Sequence, residues 1–174
     1  MSERSYTSRQ ELDQYAFRPV ITLLAPLACI VVQVLLPKGL LAKVALDLPL
    51  LAVIYFAVAR RSPIAGTLTG TLIGLFQDGL TNLPFGIYGI AKGIIGYIAA
   101  NIGFAVDMDN TVNRMVANFA FSMAQAAMLY LIKRWVLADA TARLLPIHEL
   151  IGAAANTLVG IPLFFLLDRF RVRE

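Results

Sequence analysis

Cysteine is nearly absent from the chain, and charge is scarce: among 174 residues there is one cysteine, Cys29, one histidine, His148, and one tryptophan, while Asp, Glu, Lys and Arg together reach only 15%. A single thiol excludes an intrachain disulfide scaffold. One histidine, with no second one and the cysteine far away in sequence, argues against a zinc centre, so Glu149 beside His148 is read as favouring a helix start. Asp107-Met108-Asp109-Asn110 begins like a calcium loop, but Val112 and Asn118 stand where the turn glycine and the terminal glutamate belong. Equally missing are G-x-S-x-G, a Walker A loop and H-E-x-x-H. The expectation is therefore a non-enzymatic protein with no catalytic residue, no cofactor and no metal. Scarce charge with abundant apolar residues also excludes intrinsic disorder.

What is present is hydrophobic: 59% of residues are apolar, the mean hydropathy is +0.72, and these residues fall into long blocks parted by short charged breaks. A soluble domain of this length cannot hide so much apolar surface, whereas a membrane protein need not. Six blocks predict an all-α, polytopic membrane domain over residues 19–168, with spans at about 20–36, 44–59, 63–80, 85–106, 115–132 and 150–167. Residues 1–18 carry mixed charge, unlike a signal peptide, and read as a cytoplasmic segment. Leu12, Tyr15 and Ala16 at helical spacing suggest an interfacial helix there, against the alternative of a disordered tail. Residues 169–174 form a basic tail. Between the last two spans, Leu144, Leu145 and Pro146 suggest a segment dipping into the outer interface. The short loops leave no room for an extramembrane domain.

The formal net charge of +4 does not indicate nucleic acid, because the basic residues sit at the ends of apolar blocks rather than in a patch. They read instead as topology signals facing membrane lipids. Arg4, Arg9, Arg18, Arg60, Arg61, Arg114, Arg169, Arg171 and Arg173 fall on one side, and only Lys38, Lys43, Lys133, Arg134 and Arg143 on the other. Positive residues are retained in the cytoplasm, so both termini are expected there.

Within the third block, Gly66, Gly70, Gly74 and Asp78 recur every four residues and share one helical stripe, with Thr67 and Thr71 beside it. The fourth block answers with Gly89 and Gly93, then Gly96 and Ala100. Two such helices can approach backbone to backbone, and they are expected to form a tight hairpin; a substrate path lined by these backbones is the competing reading. Asp78 and Lys92 are the two opposite charges near this hairpin, so an ion pair between them is the economical expectation, with a structural role favoured over a proton pathway. Gln33, Asn118, Gln125 and Asn156 supply amides for bonds between helices. Met115, Met123 and Met128 read as a packing face.

The ordered string Gly70-Thr71-Leu72-Ile73-Gly74-Leu75-Phe76-Gln77-Asp78-Gly79-Leu80, then Leu83-Pro84-Phe85-Gly86-Ile87-Tyr88-Gly89, then Gly96-Tyr97, resembles the rod shape-determining protein MreD family. Asn156, Pro162 and the basic tail from Arg169 are similar to that family's last helix. The resemblance implies a six-helix bundle like the S components of energy-coupling-factor vitamin transporters. It also implies a non-catalytic inner-membrane scaffold of the cell-elongation machinery that helps organise peptidoglycan synthesis and cell shape. An MreC-like membrane protein would be the direct partner, with MreB, RodA and a class B penicillin-binding protein in the same complex. A substrate-binding S component is the alternative. The A-x-x-x-A row frequent in the first span of S components is missing, since Cys29 follows Ala25 and Val32 follows Ala28.

Overall fold

The computed structural model describes residues 19–36, 44–81, 84–105, 110–141, 143 and 145–170, and within them the chain is helical, without strands. Helix α1 runs Pro19–Leu35, α2 Leu48–Arg60, α3 Pro63–Thr81, α4 Ile87–Ala105, α5 Thr111–Leu131 and α6 Pro146–Asp168. A π-helical turn, Ile132–Val136, continues α5. The segment expected to lie in the interface, residues 1–18, and most of the basic tail fall outside the described residues.

Among the described residues, three helical stretches are long and apolar enough to cross a membrane: Ile87–Phe104, Thr111–Val136 and Pro146–Asp168. The other three expected spans are helices too, at nearly the expected bounds, but they are shorter or less apolar. Helix α2 shows why. At 13 residues it rises only about 20 Å, short of the ~30 Å of a hydrocarbon core. Yet Leu48 through Ala59 are all buried, as befits a helix apolar on every side. It is the axis of the bundle and touches each of the other five helices, which follow one another around it in the order α1, α3, α4, α5, α6. Outward, the enclosing helices expose Leu24, Leu68, Phe76, Ile90, Val116 and Leu158, the surface expected against lipid rather than water.

Local chemistry sets the ends of α2. Asp47, with φ outside the helical range, accepts a hydrogen bond from Leu50 N at 3.0 Å, and Pro49 occupies the first turn. At the far end Arg61 takes a left-handed conformation, its N–H bonding to Ala57 O at 3.1 Å. Asp47 is thus the cap before the helix rather than a residue of the span, and α2 starts four residues later than the expected 44.

The α3–α4 hairpin is as tight as the glycine stripe requires. A Cβ built on Gly66 would overlap the carbonyl of Gly96, on Gly70 the carbonyl of Lys92, and on Gly74 the carbonyl of Tyr88. From the other side, a Cβ on Gly93 would meet Thr71 Oγ1 and one on Gly96 the carbonyl of Gly66, while Gly89 packs on Leu75. Backbones this close gain dispersion along the whole contact, the main attraction left to helices once lipid replaces water. Helix α5 begins at Thr111, capped by Asn110 Oδ1 through Val112 N at 2.8 Å, and not at 115. The polar stretch expected as a loop through Arg114 is therefore partly its first turn. Similarly, Pro146 opens α6 instead of belonging to a dipping segment.

Candidate functional site

Because the helices alternate in direction, Asp47, the end of α3, the start of α4, the end of α5 and the start of α6 share one end of the bundle. Arg60, Arg61, Arg114 and Asp168 share the other. Each end carries its own buried ionic cluster.

At the first end, Lys92 on α4 is fully buried and its Nζ lies 2.5 Å from Asp47 Oδ2. The same ammonium donates to Gln125 Oε1 at 3.0 Å and sits 4.9 Å from the centre of the Tyr88 ring. Gln125 Nε2 in turn donates to Asp47 Oδ2 at 2.7 Å, and Asp47 N donates to Asn156 Oδ1 at 2.9 Å. Beside this knot, Gln33 Nε2 donates to Leu46 O at 2.9 Å and its Oε1 accepts from Leu48 N at 2.7 Å. One polar network thereby joins α1, the approach to α2, α4, α5 and α6. A buried charge pair is tolerable only when its remaining lone pairs and protons are also used, and here both carboxylate oxygens of Asp47 accept.

The expected Asp78–Lys92 ion pair is corrected by this geometry. Asp78, also buried, turns to the backbone: Oδ2 accepts from Gly86 N at 2.9 Å and Gly89 N at 3.3 Å, and Oδ1 from Tyr88 N at 3.1 Å. The otherwise unpartnered N–H groups at the start of α4, which also carry the positive end of the helix dipole, hold the carboxylate. Lys92 lies deeper along α4 and faces α2 and α5. The legible clue to Asp47 in the sequence is its position before Leu48-Pro49, a capping arrangement that places a carboxylate at the bundle's inner edge.

At the opposite end, Arg114 Nη1 meets Asp168 Oδ2 at 2.6 Å, and Tyr55 OH donates to Asp168 Oδ1 at 2.8 Å. Arg114, expected as an exposed topology charge, is 5% exposed and stacked near the rings of Phe164 and Phe165. It ties the start of α5 to the ends of α2 and α6.

Above the Asp47 knot lies a polar cavity of about 530 Å³ lined from α1, α3, α4, α5, α6 and the segments beside them. Gln33, Asp47, Gln77, Tyr88, Ser122, Gln125 and Asn156 form its depth, and Lys133, Asp139, Arg143, His148 and Glu149 its mouth. The expected amides thus divide: Gln33, Gln125 and Asn156 bond between elements, whereas Asn118, wholly buried beside Gly160, has no partner among the described residues for either side-chain atom. His148 stands 3.8 Å from Glu149, and no group of three metal-ligating residues occurs among the described residues. Pro84 and Pro162 are exposed, Gly86 makes the turn between α3 and α4 at φ +104°, and Met128 packs on the core while Met115 faces outward.

Comparison with protein-family models, with curated proteins and with solved structures returns no match for this chain.

Proposed function

We propose that this protein is a non-catalytic inner-membrane scaffold of the cell-elongation machinery, of the rod shape-determining MreD type, with an S-component-like six-helix bundle, all six helices within the membrane and both termini in the cytoplasm. In this reading it binds an MreC-like membrane protein and, through that complex, works beside MreB, RodA and a class B penicillin-binding protein.

The observation that carries the reading is that the motif on which the resemblance rests is one physical device. Gly70 and Gly74 meet the carbonyls of Lys92 and Tyr88, and Asp78, one step further along the stripe, caps the helix that those carbonyls belong to. The Gly-x-x-x-Gly-x-x-x-Asp string and the Pro-x-Gly-x-x-Gly string after it are two halves of one interlocked hairpin. Two further features support a scaffold: charge inside the bundle is locked in ion pairs or, at Asp78, by backbone amides, and apolar side chains on the outer helices leave helix-to-helix contact as the natural mode of partnership. The shortness of α2 is compatible with six membrane helices, since a helix enclosed by protein needs no lipid-matching length.

The test is affinity purification of the tagged protein from its native membrane in mild detergent, with mass spectrometry of what accompanies it. Recovery of an MreC-like protein with RodA or the penicillin-binding protein is the expected result. Recovery of an ATPase pair with its coupling membrane protein would overturn it and make the chain a substrate-binding transporter subunit; recovery of neither would also count against it.

A further inference from the structure

The cavity above Asp47 is larger than packing requires, and the side chains around it are incompletely used. Gln77 and Ser122 both line it, at 5% and 7% exposure, and Gln77 Oε1 and Ser122 Oγ have no hydrogen-bond partner among the described residues. A buried polar atom without a partner is destabilising, and native proteins keep few of them without a reason. Here two, one from α3 and one from α5, line the same space.

The volume, about 530 Å³, falls in the range of roughly 300–1,000 Å³ that small-molecule sites occupy. Charge narrows the class of occupant. At the base the Asp47 carboxylate is already neutralised by Lys92, and at the mouth Lys133 and Arg143 are balanced by Asp139 and Glu149. Among the described residues lining the cavity, no excess of either sign remains to hold an ion. What the walls offer instead is hydrogen bonding of both senses, from amides and hydroxyls, with Tyr88 and Tyr130 as aromatic surface.

We propose that this cavity is a binding site for a small, net-neutral solute rich in hydrogen-bond donors and acceptors, to which Gln77 and Ser122 turn their unpartnered atoms. The site lies at the end of the bundle away from Arg60 and Arg169, so the solute enters from the side opposite those arginines. The inference stands on the cavity alone and is independent of the elongation partners: failure to bind a solute leaves the partner purification unaffected, and the reverse also holds.

Ser122→Ala and Gln77→Leu separate binding from structure, because each deletes a polar atom that is unpaired in the empty protein. Removing such an atom should leave the solute-free protein as stable as wild type or more so, whereas a purely structural residue would lower the melting temperature. The full chain is purified in mild detergent and examined by native mass spectrometry for a retained small molecule. It is then titrated with N-acetylglucosamine, thymidine and glycyl-glutamine as hydroxylated, heteroaromatic and zwitterionic probes, with thermal unfolding as readout. The expected result is a stoichiometric retained mass, or a saturable rise in melting temperature with one probe, and a dissociation constant raised about tenfold in each variant, as the loss of one buried hydrogen bond implies. A wild-type protein with no retained mass and no saturable response to any of the three probes would overturn the proposal and leave a water-filled cavity. So would binding that both variants retain at wild-type strength.

Discussion

Lys92 is the residue whose environment is most demanding, since its ammonium is wholly buried and is held by Asp47, Gln125 and the Tyr88 ring. Lys92→Met should therefore destabilise the protein by about 3 kcal/mol, because the cost comes from leaving the Asp47 carboxylate uncompensated rather than from losing an attraction. The double variant Asp47→Asn with Lys92→Met should recover part of that loss, since asparagine can still cap α2 without carrying charge. Thermal unfolding in detergent checks this, and a double variant less stable than Lys92→Met would sink the account. Asp78 behaves differently. Its partners are backbone amides, so Asp78→Asn keeps an acceptor and loses only the charge-assisted share, a cost of about 1 kcal/mol. A loss as large as that of Lys92→Met would show that Asp78 is instead an ionic partner.

Among the elements, the α3–α4 hairpin is where small residues decide everything. Gly70→Leu drives a side chain into the carbonyl of Lys92, and because that obstacle is backbone, the helices must part. A loss of about 3 kcal/mol or more is expected, together with loss of the copurifying partner; a folded complex at wild-type yield would contradict it. Gly79 is the control on the same helix. A Cβ there meets only the Phe85 ring at 3.8 Å, so Gly79→Ala should be neutral or stabilising by up to about 1 kcal/mol through helix propensity. Gly86 fails for another reason: nothing crowds it, but φ is +104°, and Gly86→Ala should cost on the order of 1 kcal/mol in backbone strain alone. Comparing the three variants by thermal unfolding separates collision from conformation, and Gly79→Ala as harmful as Gly70→Leu would remove the collision argument.

For the whole molecule, the alternation of helices predicts opposite faces for Arg60 and Thr141, both exposed. In a Cys29→Ala background, Thr141→Cys should react with a membrane-impermeant maleimide in intact cells, while Arg60→Cys should react only after the membrane is opened. The reverse pattern would invert the orientation drawn from the arginine count, and labelling of both would mean that the bundle does not separate two compartments. Much of this architecture was legible beforehand. All six apolar blocks gave helices whose starts and ends lie within about four residues of the expected bounds, because hydrophobic length and proline positions are local properties. The glycine stripes were legible for the same reason, since every fourth residue lands on one helical face.

The amino-acid sequence by itself determined that the chain is helical and apolar, where its helices lie, and that α3 and α4 pack closely, because each of these follows from composition and periodicity within about twenty residues. Tertiary structure alone decided which charges meet. Lys92 and Asp47 are separated by 45 positions, and Arg114 and Asp168 by 54; no spacing rule reaches that far. Asp78 looked closer to Lys92 along the chain, but the N–H groups at the start of α4 had the prior geometric claim on its carboxylate. The cavity, and the burial of α2 at its foot, arise only when five helices close around a sixth, which is why neither could be read from any one of them.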